Sequence, residues 1–550
     1  MERMLVRNPV ITGFAPDPAM IRVGKTYYIA TSTFEWYPGV RIYSSTDLKN
    51  WSFAAAPLAE TRLLSMEGIG ASEGIWAADL SFWEDRFYLV YTVVTNQGRI
   101  KDLSNYVITA KKISGPWSDR VYLNSSGFDP SLFHGEDGRK WLVNMEWDYR
   151  KGNGPECFTG ILLQEYSEME KGLIGSPKKI FKGTELGYVE GPHIYAKDGY
   201  YYLFCAEGGT SYDHAVTVAR SRELEGPYEV HPCNPVLTSG KDDYLQKAGH
   251  GSLCQGTDGS WYLAHLCARP LPGTKACTLG RETAIQEIVW KDDWPVLKHG
   301  VGSKQKSDVY HENIAEGCHP SEWFEAPANV VMSKSEESLT YEFYSFDSEV
   351  FWKDFQTLRV GHNEDDYSLK ARPGWLRLRG KNGVTSRFEQ TLLGRRQKDF
   401  SFAAATEMEF TPEHFQQGAG LMLRYNEENL YYLQATYDEE EQGPVLQIVR
   451  IYAGNYSVEA VEKVQGDRFL LGIQVENTKG CFFWAYPGEF VQENPALWRR
   501  IGSSFDVTNL SDDFTYGFTG TFLCICAQDL QSHKKSADFH YLKYMSIDYK

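Results

Sequence analysis

Five residues able to move protons or bind cations recur along the first half of the chain: Asp17, Asp79, Asp129, Glu190 and His250, spaced 62, 50, 61 and 60 residues apart. Each opens a similar stretch. A polar or acidic residue leads a short apolar run, a Gly or Asp turn follows, and an aromatic-rich run ends on an aliphatic residue. Taken singly, an Asp at the start of a strand is a turn or cap acceptor. Four acids and a histidine at one repeat position are another matter, because buried carboxylates without partners cost stability and packing does not call for them. Two kinds of chemistry suit the set: a pair of carboxyl groups acting as acid and base on a glycosidic bond, or an oxygen-rich metal site. The pattern alone leaves both open.

The elements that must position these residues follow from the same repeat. Asp-Gly between two apolar runs signals a hairpin, and three of the five copies carry it. Each copy is followed by a second pair of strand-like runs, such as residues 39–45 with 51–53, and 215–220 with 228–230. Four short strands per unit, repeated five times, predict a five-bladed β-propeller ending near Leu297. Residues at one repeat position then form a ring around the central channel. Phe34, Trp36 and Trp76 lie near the repeat starts, where aromatics serve either as faces for sugar rings or as packing between blades.

Beyond about Lys298 the texture changes. A polar connector gives way to period-2 alternation with frequent turns, which reads as a β-sandwich. The expected division is a propeller over 1–310, a linker over 311–335 and a sandwich over 336–550, with long helices nearly absent.

Charge and composition exclude other classes. The chain carries 56 Lys and Arg against 73 Asp and Glu, a net −17. Sequence-independent nucleic-acid binding needs clustered cations and is not expected. No apolar run approaches the length that spans a bilayer as a helix, so no membrane partner is expected either. The first ten residues hold no apolar export core, and ten scattered cysteines without a C-x-x-C pair fit reduced thiols. A cytoplasmic protein is the expectation.

Several motifs together resemble glycoside hydrolase family 43, and more narrowly its two-domain β-xylosidases. They are Phe14-Ala-Pro-Asp-Pro18, Thr31 to Ile42, Gly127-Phe-Asp-Pro-Ser131, Val189-Glu-Gly-Pro-His193, Gly249-His-Gly-Ser252 and Leu279-Gly-Arg-Glu-Thr283, with Phe518-Thr-Gly-Thr-Phe522 near the end. The resemblance implies a five-bladed propeller followed by a concanavalin-A-like sandwich. It implies an inverting, exo-acting enzyme that releases xylose from xylo-oligosaccharides, with α-L-arabinofuranosidase as the rival activity.

By that resemblance Asp17 matches the general base, Glu190 the general acid, and Asp129 the carboxylate that orients the acid and raises its pKa. Arg281 matches an arginine that binds substrate hydroxyls, and His250 a histidine near the pocket floor. Phe34 and Trp76 match residues of the sugar subsite. Asp79 closes Trp76-Ala-Ala-Asp79, which departs from the family's Trp-Ala-Pro-Asp by one residue. Phe518 and Phe522 are both candidates for the aromatic that the sandwich lends to the pocket. No cofactor is implied, and a calcium ion near His250 is left open because relatives differ. Relatives commonly form homo-oligomers, which these residues neither require nor exclude.

Overall fold

The computed structural model describes residues 3–152, 154–300, 317–327, 341–488 and 497–547. These are almost wholly β. The only α-helix among them is the single turn Asp512–Thr515.

The five repeats fold into five antiparallel sheets of four strands, the fourth carrying one extra short strand. Their innermost strands are Ala19–Val23, Gly74–Trp83, Ser131–His134, Glu190–Lys197 and Gln246–Gln255. Each neighbours the next, and the fifth neighbours the first, so the ring closes. The hairpin turns are specified locally. Asp198 and Gly199 both take left-handed φ, 50° and 76°, which a type I′ turn requires. Apolar side chains fill the seams between blades. Tyr27, Ile29, Tyr262, Ala264 and Ile285, for example, share one buried cluster between the last blade and the first.

Closure is tied by the segment before the first blade. The Asn8 amide group donates to the Ile285 carbonyl at 2.8 Å and its oxygen accepts from the Ile285 N–H at 2.9 Å. Ala15 N–H donates to the Arg281 carbonyl at 2.8 Å. This lacing brings the first acid of the chain beside an arginine more than 260 residues away.

The linker expected over 311–335 falls only partly within the described residues. Its described part is not a free connector. Trp323–Pro327 pairs antiparallel with Arg3–Arg7, and Phe324 and Ala326 are buried against the first and last blades. Alternate burial over five residues is too short a signal to stand out in a polar stretch.

The second half forms two eight-stranded antiparallel sheets, face to face. One of them borrows a strand. Trp36–Tyr37, from the first blade, pairs with Phe355–Leu358 at its edge. Trp36 is fully buried there and stacks on Phe522 with ring centroids 3.7 Å apart and planes 14° apart. Gly394 makes room, because a Cβ at that position would lie 2.6 Å from the Trp36 ring. The two halves are thus joined through a shared sheet and a shared aromatic core.

Trp36→Ala should therefore cost about 3–5 kcal/mol, the range for deleting a large buried aromatic. Thermal or denaturant unfolding reads it directly. A loss under about 1 kcal/mol would mean that the borrowed strand is not integral to the fold.

Candidate active site

Backbone geometry at the strand starts corrects the expected ring. Asp17, Asp129 and His250 have left-handed φ of 49°, 53° and 48°. Each stands two residues before the residue of its innermost strand that pairs with the next strand: Ala19, Ser131 and Ser252. These three positions are equivalent. In the second and fourth blades the equivalent place belongs to Ala77, with φ 20°, and Gly191, with φ 55°. Glu190 stands one residue earlier, and Asp79 two residues further along the channel, level with His193. Register shifts fall at this place in the second and fourth blades and also in the fifth, between Gly249 and Gly251, so these strands share an irregular start and the acids differ in where they stand on it.

The structure brings Asp17, Asp79, Asp129 and His250 together at one end of the channel, with Glu190 buried within reach of the Asp17, Asp129 and His250 charges. Asp17, Asp79, Asp129, His250 and His193 line a small cavity of about 10 Å³ there. Asp17 is 5% exposed. Its Oδ1 lies 3.1 Å from an Arg281 Nη and 3.4 Å from His250 Nδ1, and Ser32 Oγ is 3.4 Å from its other oxygen. Burial by itself would raise this carboxyl. The Arg281 and His250 charges outweigh it and hold Asp17 at about 2. Burial likewise opposes a charge on His250, and the Asp17 carboxylate beside it, with that of Asp129, overcomes the penalty, raising the imidazole to about 9.

Glu190 is in the opposite condition. It is 8% exposed, and Thr210 Oγ1, 3.4 Å away, is its one side-chain hydrogen-bond donor. Burial first, then the Asp129 charge, pushes its pKa well above the usual carboxylate range, so it keeps a proton at neutral pH. Asp129 is itself raised by burial, against the pull of His250, and accepts the Gly191 N–H at 3.0 Å.

Asp79 does not share the task of these three. Its Oδ2 accepts the Leu132 N–H at 3.1 Å, and its other oxygen lies 3.6 Å from His193 Nδ1. Burial raises Asp79 to about 7, and burial with the nearby His250 charge lowers His193 to about 3. Among the described residues His193 and Thr210 are additions to the expected set. His193 stands inside the Glu-Gly-Pro-His motif and could have been read from it. Thr210 sits in a Gly-rich loop with no motif to mark it.

The aromatic wall comes from three stretches of chain. Phe34, Trp76 and Phe518 lie 6.2, 6.2 and 5.8 Å apart in pairs. The Arg281 guanidinium covers Phe34 and Phe518 at 5.2 and 5.6 Å and donates to the Phe518 carbonyl at 3.0 Å. Phe522 lies beneath this wall, fully buried between Trp36 and Phe14. Of the two sandwich candidates, Phe518 is the one that packs against Phe34, Trp76 and Arg281.

A metal fits this channel poorly. Among the described residues, two groups have ligand atoms close enough together to hold an ion: Cys277, Asp512 and Asp513, and Glu287, His299 and Glu325. Both lie outside the channel. Lys247 already pairs with Asp512 and Asp513, and Lys298 with Glu287 and Glu325. In the channel itself the Asp17 carboxylate is already paired, with Arg281 at 3.1 Å and His250 at 3.4 Å from the same oxygen.

A charged and a protonated carboxyl buried in one cluster beside an aromatic wall suit the acid–base cleavage of a glycosidic bond, the chemistry of a glycoside hydrolase. Comparison with known proteins agrees and narrows the class. Residues 6–295 match the family Glycosyl hydrolases family 43, and residues 344–545 match the Beta xylosidase C-terminal Concanavalin A-like domain. The chain belongs to glycoside hydrolase family 43. It is 43% identical to a beta-xylosidase of Bacillus subtilis, over 98% of this chain and 99% of that one. It is also 43% identical to a xylosidase/arabinosidase of Humicola insolens, over 99% and 98% of the two chains. The crystal structure of a xylan beta-1,4-xylosidase from Bacillus halodurans superposes with a TM-score of 0.90 at 47% identity, covering 98% of this chain and all of that one.

The Arg281–Asp17 pair offers a direct check. Arg281→Ala leaves burial opposed by His250 alone, so the Asp17 pKa should rise by at least about one unit. A carboxyl titration by NMR would read it. An unmoved pKa would mean that Arg281 does not hold the charge on Asp17.

Proposed function

We propose that the chain is an exo-acting, inverting β-xylosidase that releases xylose from the non-reducing end of β-1,4-xylo-oligosaccharides. One observation carries the reading: Asp17 and Glu190 are buried near the same Asp129 and His250 groups, in surroundings that push their pKa values in opposite directions. Asp17 is the general base. A water gives its proton to this carboxylate as its oxygen attacks the anomeric carbon. Glu190 is the general acid and passes its proton to the departing glycosidic oxygen as the C–O bond breaks. Water enters the face opposite the leaving group, so a β-xyloside yields α-xylose.

Asp129 keeps Glu190 protonated, because a neighbouring negative charge opposes ionisation. Arg281 keeps Asp17 ionised and presents its remaining N–H groups to substrate hydroxyls. Phe34, Trp76 and Phe518 exclude water and offer apolar faces to the sugar ring. His250 and Asp79 line the floor. The sandwich adds Phe518 to the aromatic wall formed by Phe34 and Trp76, which supports attack at chain ends. The names of the full-length relatives support xylose as the sugar. The Humicola relative supports a second activity on α-L-arabinofuranosides, whose hydroxyl arrangement is similar. The ten unpaired cysteines support action in a reducing compartment. No helix among the described residues is long and apolar enough to cross a membrane.

Glu190→Ala should lose about 10²–10⁴-fold in kcat on xylobiose, the usual share of general acid catalysis, and much less on aryl xylosides whose leaving groups need no proton. Equal losses on both substrates would remove Glu190 from the acid role.

Asp129→Asn tests the electrostatic support. Removing the neighbouring negative charge makes ionisation of Glu190 easier and lowers its pKa. The alkaline limb of kcat/KM should therefore move to lower pH, by about one unit. A limb that stays in place or moves up would contradict the role given to Asp129.

A further inference from the structure

The three aromatic residues of the pocket wall are far apart in sequence, yet one residue outside every motif touches all three supports. Ser72 is 3% exposed and has a left-handed φ of 61°. Its N–H donates to the carboxylate of Glu35, the residue after Phe34, at 3.0 Å. Its carbonyl accepts the indole N–H of Trp76 at 2.9 Å. Its hydroxyl oxygen accepts the main-chain N–H of Phe518 at 2.9 Å, across the boundary between propeller and sandwich. The backbone around Phe518 is thus gripped from both sides, by Ser72 at its N–H and by Arg281 at its carbonyl.

Local sequence serves this approach. A Cβ on Gly517 would lie 2.9 Å from the Ser72 hydroxyl and 2.6 Å from the Tyr425 hydroxyl, so the residue before Phe518 must lack one. A Cβ on Gly74 would lie 2.4 Å from the Phe34 carbonyl oxygen, so the return of the chain from Ser72 towards Trp76 has the same requirement. On the far side, the sandwich holds Glu35 in place through the Arg359 N–H, which donates to the Glu35 carbonyl at 2.9 Å.

We propose that Ser72 is a positioning residue for the sugar pocket, setting the Phe518 ring against the bound sugar through the Phe518 amide. It touches no substrate. Its side chain is the only donor-acceptor group described at that amide, and a buried N–H left without a partner would move to find one.

This inference rests on the xylosidase reading, and a double-mutant cycle separates the two. Ser72→Ala should raise the Ki of xylose as a product inhibitor and the KM for xylobiose by about five- to twenty-fold, with kcat held within about threefold. In a Phe518→Ala background the same substitution should change the Ki less than about twofold, since the ring through which Ser72 acts is gone. Ser72→Gly, which suits the left-handed φ, should reproduce Ser72→Ala and guards against a folding defect. An unchanged Ki, or the full factor persisting without the Phe518 ring, would overturn the role of Ser72. Measuring the Ki with xylose and with arabinose keeps the substrate question apart: a wild-type enzyme that leaves xylobiose intact overturns the xylosidase reading, while Ser72 still stands or falls on the cycle.

Discussion

Everything at the pocket depends on keeping two buried carboxyl groups in opposite protonation states. Burial pushes both Asp17 and Glu190 towards the neutral form. What separates them is placement. Asp17 pairs directly with a guanidinium and an imidazole, whereas for Glu190 the nearby Asp129 carboxylate outweighs the pull of His250 and Arg281. The cations are expensive to bury alone, and the carboxylates make their burial tolerable. The arrangement is therefore mutual, and no member can be removed without shifting the others.

The architecture serves that arrangement at two levels. Closing the ring sets the first blade against the last, which is the only way for Asp17 to meet both His250 and Arg281. The sandwich then completes the wall. It takes a strand from the first blade through Trp36–Tyr37, buries Phe522 against Trp36, and returns the chain to lay Phe518 over the pocket. The same arginine that charges Asp17 also holds the Phe518 carbonyl. Catalytic charge and pocket shape are thus coupled through one side chain.

Much of this was legible in the sequence. Hairpin signals at near-constant spacing carry the five blades, and the motif around each acid carries Asp17, Asp129, Glu190 and Arg281. What escaped is what depends on register or on long-range pairing. Asp79 and Glu190 stand off the shared repeat position, and the apolar pattern, which marks the strands but not their irregular starts, does not show it. Trp36–Tyr37 reads as part of a propeller motif, and nothing local says that its partner strand begins at Phe355. Phe518 and Phe522 are both aromatic and four residues apart, so only three-dimensional contacts tell the wall from the core. Ser72 lies outside the motifs, because its task is to meet backbone groups rather than substrate.

The stereochemistry of the first product tests the central claim most directly. Proton NMR can follow xylobiose from the first minutes of hydrolysis, before mutarotation mixes the anomers. The roles proposed for Asp17 as base and Glu190 as acid, on opposite faces of the sugar, require α-xylose to appear first. β-Xylose appearing first would mean that a carboxylate attacks the sugar itself, and the division of labour between Asp17 and Glu190 would be wrong.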